Sequence, residues 1–182
     1  IKKLNVEKIY MPNIVHTTES FEKLVEEIEK QEIKLIQAKA GDVLDAEGFN
    51  GEFLSPQNAK YDNLNDYSAV LKLNYQGSSA LFMGEAGINI EKELMNNQSI
   101  DNIDFLKIGH HGSNTASSKE FLKKIAPKIA VISCGKDNDY GHPHKETLAK
   151  LDKLGLQVYR TDKLGDLHFL WTDSEIAYQQ GE

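Results

Sequence analysis

The chain has 182 residues, of which 40% are hydrophobic and 27% charged, with a formal net charge of −7. That length suits one domain with a real core, and the acidic balance excludes a protein that holds nucleic acid by bulk positive charge, although not a phosphate substrate, because bound metal ions invert the local charge. The single cysteine, Cys134, excludes an internal disulfide, and no apolar run approaches the roughly 18 residues of a membrane-spanning helix.

In chain order, strand-like and helix-like patterns alternate. Glu7–Met11 reads as a short strand ended by Pro12 and Asn13. Thr17 and Thr18 can cap a helix from Ser20 to about Lys30, with Phe21, Leu24, Val25 and Ile28 on one face. Glu32–Gln37 reads as a second strand, and residues 41–56 as short strands and turns. Tyr67–Tyr75 and Ser78–Met83 form the clearest hairpin, joined at Gln76–Gly77. A helix is expected near Ile90–Met95. Ile103–Ile108 is an apolar strand that runs into Gly109–Ser113. A helix then starts near Ser117, with Glu120 completing a capping box, and ends before Pro127. Lys128–Ser133 is another buried strand, and Cys134 reads as a thiol at its end rather than a nucleophile. The polar loop 135–142 follows, and Pro143 suits the first turn of a helix that ends at Gly155. Leu156–Arg160, Asp166–Trp171 and an edge strand around Glu175–Tyr178 close the chain. The order is mixed α/β, without repeats or a linker, and residues 1–182 read as a single domain.

Two polar loops each leave the end of an apolar strand, and four of the six histidines lie in them: His110 with His111, and His142 with His144. Rigid strands that feed variable loops are where active sites gather. Gly109 and Gly112 remove bulk around the histidine pair, which packing alone would not require. His16 and His168 read as surface or structural residues. Glu85 ends the strand Leu81–Met83, between Gly84 and Ala86. It reads equally as a carboxylate that bridges divalent ions and as a surface or capping residue before a helix. Imidazole with carboxylate is the ligand set of hydrolytic Zn²⁺ or Mn²⁺ sites, where the ion acidifies water and polarises a phosphoryl or carbonyl oxygen. A further histidine could hydrogen-bond a phosphate oxygen or protonate a leaving group. Ser113 and Asn114, with nearby N–H groups, could hold an anion.

Several segments taken together carry a resemblance. Asn65–x–x–Ser68–x–Val70–Leu71 comes first, then Leu81–Phe82–Met83–Gly84–Glu85–Ala86, then Leu106–Lys107–Ile108–Gly109–His110–His111–Gly112–Ser113. Ile132–Ser133–x–Gly135–x–x–Asn138–x–Tyr140–Gly141–His142–Pro143 follows, and Thr161–Asp162–x–x–Gly165 and Val6–Pro12 fit as well. This order resembles the metallo-β-lactamase domain of ComEC-type DNA-uptake proteins and related stand-alone hydrolases, over nearly the whole chain. The resemblance implies an αββα sandwich with a dinuclear metal site, of which this chain is the C-terminal two-thirds or so. It implies Glu85 and His142 as metal ligands. His110 and His111 match the family's paired histidines as catalytic candidates: one of the two would lie by the metals or the scissile phosphate, either could be a ligand instead, and Ser113, Asn138 and Tyr140 would lie near the substrate. The family's His-x-(Asp/His)-x-Asp-His motif is absent here and is expected just upstream of Ile1. Glu85 stands where the family has aspartate; the extra methylene moves the carboxylate by more than about an ångström, against metal–oxygen distances near 2 Å.

The expected function is metal-dependent hydrolysis of a phosphodiester, nuclease-like and related to DNA uptake, with single-stranded DNA as a candidate substrate. The acidic charge keeps a smaller phosphodiester open. The alternative is a catalytically silent module of the same fold with a binding or structural role, which the missing motif and Glu85 favour. A membrane-protein parent and an extracytoplasmic setting follow from the resemblance alone. Exposed strand edges in an isolated piece would favour a homodimer.

Overall fold

The computed structural model describes residues 1, 3–46, 48–97, 100–172 and 175–180. β1 (Lys8–Met11), α1 (Glu19–Lys30) and β2 (Lys34–Gln37) form a unit in which the two strands pair in parallel. Thr18, rather than Thr17, caps α1: its hydroxyl accepts from the Phe21 N–H at 3.4 Å. β3 (Val43–Ala46), β4 (Phe49–Phe53), β5 (Leu71–Tyr75) and β6 (Ser78–Phe82) form an antiparallel run. α2 (Ile88–Asn97), β7 (Phe105–Lys107), α3 (Lys119–Ile125), β8 (Ile129–Ile132), α4 (Lys145–Lys153) and β9 (Gln157–Arg160) follow. The short α5 (Thr161–Leu164) and the antiparallel pair β10 (His168–Trp171) and β11 (Ile176–Gln179) end the fold.

Seven strands form one sheet in the order β3-β4-β5-β6-β7-β8-β9. β6 is the switch strand, antiparallel to β5 and parallel to β7, and β7, β8 and β9 continue in parallel. Parallel pairing requires a crossover between strands, which α2, α3 and α4 supply. It also places the C-terminal ends of β6, β7 and β8 along one edge of the sheet, the usual place for a site in an open α/β sheet.

Strand register sorts the core. Leu81, Leu106, Ala130 and Val158 lie side by side. Leu81, Leu106 and Ala130 are buried, with Val158 packed against them, and meet Leu94 of α2, Phe121, Leu122 and Ile125 of α3, and Leu151 of α4. One residue back, Ala80, Phe105 and Ile129 are also neighbours and point to the opposite face. There they pack with Ile176, Phe169 and Trp171 of the β10–β11 pair. Strands buried on both faces account for the continuous apolar runs in the sequence. No helix among the described residues is long and apolar enough to cross a membrane.

Local details differ from the sequence-based expectations. The hairpin arm expected from Tyr67 starts at Leu71, because Leu64–Tyr67 closes into a 3₁₀ turn whose Asn63 side chain accepts from the Asn65 N–H at 3.0 Å. α3 starts at Lys119 with Ser118 as its cap, so Ser117 and Glu120 form no capping box. Ser117 instead has a positive φ of 57° and gives its N–H to Glu91. Pro143 lies ahead of α4 rather than in its first turn. The His144 carbonyl accepts from the Thr147 and Leu148 N–H groups, each at 3.1 Å, which makes His144 the cap. α5 was not anticipated.

Candidate functional site

Three loops at the C-terminal ends of β6, β7 and β8 bring Glu85, His110, His111 and His142 together. The His111 Nε2 lies 3.2 Å from Glu85 Oε1, and the His110 Nε2 lies 3.9 Å from Glu85 Oε2. The His142 ring centroid is 5.6 Å from that of His110 and 6.2 Å from that of His111.

The β6 and β7 loops lock together. The His110 N–H donates to the Gly84 carbonyl at 3.0 Å. A Cβ on Gly109 would lie 2.5 Å from the Ala86 carbonyl oxygen, so no larger residue fits there without moving backbone. The Glu85 N–H donates to the Ser68 hydroxyl at 3.0 Å, and that hydroxyl donates to the Asn65 carbonyl at 2.7 Å. The β7 and β8 loops meet at Gly112, where a Cβ would fall 2.7 Å from Pro143 Cβ and φ is +82°. The glycines noted in the sequence therefore do provide close approach.

His110 and His111 have φ of 48° and 50°, the left-handed region. For residues with a Cβ this costs about 1–2 kcal/mol each. Such strain persists only where the surroundings over-determine it, and it clusters at functional sites. Here the His110 carbonyl accepts from the Ser113 N–H at 2.8 Å, and the His111 Nδ1 lies 2.6 Å from the Ser133 carbonyl.

That last contact fixes a proton. A carbonyl only accepts, so His111 Nδ1 carries hydrogen. In the neutral ring, Nε2 then presents a lone pair toward the Glu85 carboxylate. Two acceptors at this distance attract only if a proton or a cation lies with them. A backbone carbonyl on the far nitrogen is also the usual support for a metal-binding histidine. The His142 imidazole is held below its ordinary value, first by burial and then by His144, His110 and His111, which disfavour another positive charge. It is therefore neutral at neutral pH. Neither ring nitrogen of His142 bonds a described residue. Lys107, beneath the site, is lowered by burial, against the pull of Glu85.

These features fit imidazole and carboxylate donors for a divalent ion. Among the described residues, no group of three or more His, Cys, Asp or Glu side chains is placed to hold one metal ion.

The other expected residues take supporting places. Asn138 holds the β8 loop: its amide donates to the Gly135 and His142 carbonyls, and its Oδ1 accepts from the His142 N–H at 3.0 Å. Asn138→Ala should lower stability by about 1–2 kcal/mol and weaken whatever His142 binds, and urea unfolding with metal titration would show both. Tyr140 is 78% exposed, and its ring stacks on His142 at 5.8 Å. Ser113 is buried and reaches the site through others: its hydroxyl lies 2.9 Å from that of Thr115, which lies 3.3 Å from His110 Nδ1. Thr115 was missed in the sequence, since nothing in a lone threonine five residues after His110 marks it. His144 was grouped with His142 but given no role. Its Nδ1 accepts from the Asn114 N–H at 2.9 Å, tying the β7 loop to the start of α4.

No family model matches the chain. It is 31% identical over 169 residues to ComE operon protein 3 of Bacillus subtilis (strain 168), covering 93% of this chain and 22% of that protein. Competence protein ComA of Neisseria gonorrhoeae is 35% identical over 125 residues, covering 68% of this chain and 18% of its own length. The chain thus spans about a fifth of the length of the curated relatives it matches. Among solved structures, CmlA, a diiron β-hydroxylase from Streptomyces venezuelae, aligns over 84% of this chain and 38% of its own. The TM-score is 0.55 and the identity 11%, a likeness of fold alone. The chain is a homologue of a segment of these competence proteins, with a mixed α/β fold.

Proposed function

We propose that this chain, acting as one domain, supplies one wall of a metal-dependent phosphodiesterase site, nuclease-like and serving DNA uptake. The observation that carries the reading is the meeting of Glu85, His110, His111 and His142 at three parallel strand ends, with His111 Nδ1 committed to a carbonyl. Glu85 and His142 would hold Zn²⁺ or Mn²⁺, and ligands that the described residues do not supply would complete the set. Such an ion supplies a Lewis acid for the phosphoryl oxygen and acidifies water near neutral pH.

The protein's own groups do the rest. His111 keeps its proton on Nδ1 and works through Nε2. As imidazolium, Nε2 donates to a phosphate oxygen or to the departing oxygen; as imidazole, it accepts. His110 is fixed by Thr115 and stands on the other carboxylate oxygen, beside the scissile phosphate. The strained backbone of the pair holds both rings in place before substrate arrives, so little reorganisation is needed. In this reading single-stranded DNA is the substrate and a larger membrane protein the setting.

The test is Mn²⁺ or Zn²⁺ titration followed by calorimetry, with hydrolysis of bis(p-nitrophenyl) phosphate and of single-stranded DNA. His142→Ala should weaken metal binding by more than the roughly 10–100-fold seen when an outer-shell partner is lost, and hydrolysis should fall with it. Full activity in that variant removes His142 from the site. A second reading, a silent module, is favoured by the incomplete donor group and by Glu85 in place of aspartate. It prevails if metal changes neither melting temperature nor hydrolysis, even within the longer parent protein.

A further inference from the structure

Two cavities flank the histidines. One, of about 280 Å³, borders His111, His142 and Tyr140. The other, of about 590 Å³, borders Glu85 and His110. The larger one has an unusual lining: Asn63, Asn65, Asn89, Asn114 and Thr115, with a single further carboxyl, Asp66. No lysine, arginine, phenylalanine, tyrosine or tryptophan is among its described lining residues.

Some of these groups are already engaged. The Asn89 amide donates to Asp66 at 3.3 Å, and Asn63 Oδ1 caps the 3₁₀ turn. The side-chain amides of Asn65 and Asn114 bond no described residue. Both stand on backbone that is tied to the site. The Asn65 carbonyl accepts from Ser68, whose hydroxyl also accepts from the Glu85 N–H. The Asn114 N–H is held by His144. The backbone that carries these two amides is thus fixed relative to Glu85 and the histidines, on two different loops. A binding subsite needs its contact residues carried on backbone that is already held in place.

The chemistry of the lining narrows the ligand. An amide offers donors and an acceptor without charge, and so pairs with hydroxyl and carbonyl groups. Away from Glu85 the lining offers Asp66 and no lysine or arginine among its described residues, which opposes a second phosphate there. We propose that this cavity is a subsite for the uncharged, hydroxyl-bearing arm of a phosphodiester, adjoining the phosphate at His110 and Glu85. The proposal rests on the phosphodiester reading above and deepens it. Such an arm comes either from a nucleoside or from a sugar alcohol, and the experiment separates the two.

The experiment is NMR on ¹⁵N-labelled protein without metal, following the Asn65 and Asn114 side-chain amides during separate titrations with thymidine and with ribitol. Saturable shifts are expected, with affinity at least about tenfold weaker in the Asn65→Ala/Asn114→Ala double variant, the scale of one or two lost hydrogen bonds. A response to thymidine alone assigns a nucleic-acid source, and to ribitol alone a polyol source. A response to both supports the shared chemistry. Absence of saturable shifts with either, undiminished binding in the double variant, or tighter binding of pyrophosphate than of both neutral compounds overturns the proposal. Metal titration of the same samples keeps the two readings apart. Neutral-arm binding without metal uptake sinks the hydrolase reading and leaves the subsite. Metal uptake without neutral-arm binding does the reverse.

Discussion

Gly109→Ala should damage both the fold and the site, whereas Gly135→Ala, the same change 26 residues later, should do little. At Gly109 the new Cβ would lie 2.5 Å from the Ala86 carbonyl oxygen and 3.2 Å from Met83 Cβ. The first of these is backbone and cannot swing aside. At Gly135 the nearest neighbour of a Cβ would be Asn138 Cβ at 4.0 Å, an ordinary contact. Neither glycine has a positive φ, so the comparison is one of space alone. Overpacking a tight contact costs about 1–3 kcal/mol, and an innocuous substitution stays within about 0.5 kcal/mol. The position of the strain gives the functional effect. The methyl group would part the β6 loop from the β7 loop, and these carry Glu85 and the two histidines. The bond from the His110 N–H to the Gly84 carbonyl crosses the same gap. We expect Gly109→Ala to unfold at lower urea with an unchanged m-value and to bind metal at least about tenfold more weakly, as when an outer-shell support is lost. Equal stability of the two variants would mean that the loops are not rigidly joined.

The value of that glycine was legible in the sequence only as a hint. A histidine pair between two glycines, directly after an apolar strand, indicates close approach, but it does not say what approaches. The answer, the Ala86 carbonyl, depends on β6 and β7 being parallel neighbours, and that is a long-range fact. The buried strands were legible because both faces of β7 and β8 are covered, which gives unbroken apolar runs. The residues around Glu85, His110, His111 and His142 were legible for a related reason: strand-end loops with coordinating side chains are locally recognisable. What was not legible is the support. Thr115 behind His110 and the Ser133 carbonyl behind His111 carry no local signature, and Asn138 is marked by its motif but not as the residue that holds the His142 backbone. Each owes its role to an angle or a tautomer set by tertiary structure. Helix starts failed for the same reason. At Ser117 a local capping rule competed with a buried carboxylate from a distant helix, and the carboxylate won.

That carboxylate, Glu91, makes the second strong prediction. It lies in α2, is 1% exposed, and accepts from the N–H groups of both Ser117 and Ser118 at the start of α3. Truncation to alanine would leave two donors, one of them on a buried residue, without a partner. An unsatisfied buried donor costs about 1–3 kcal/mol, so Glu91→Ala should lose about 3 kcal/mol, or about 6–12 °C in melting temperature for a chain of this size. Lys150, which donates to the Ala116 carbonyl at 3.1 Å and is attracted by Glu91, Glu120 and Glu146, would lose one of its counter-charges as well. The pH dependence has a definite sign. Burial raises the Glu91 carboxyl above 4.5, against the opposing hydrogen bonds from Ser117 and Ser118 and the charge of Lys150. A group raised in the folded state binds its proton more tightly there than in the unfolded chain. Its contribution is complete below pH 4.5 and is lost as pH rises through the higher folded value. Glu91→Gln cannot titrate. The stability gap between the wild type and Glu91→Gln should therefore be widest in acid and narrow toward neutral pH, as read from urea unfolding across the series. A gap that widens with pH would mean that the Ser117 and Ser118 donors and Lys150 outweigh desolvation, and that α3 is anchored on a stabilised anion.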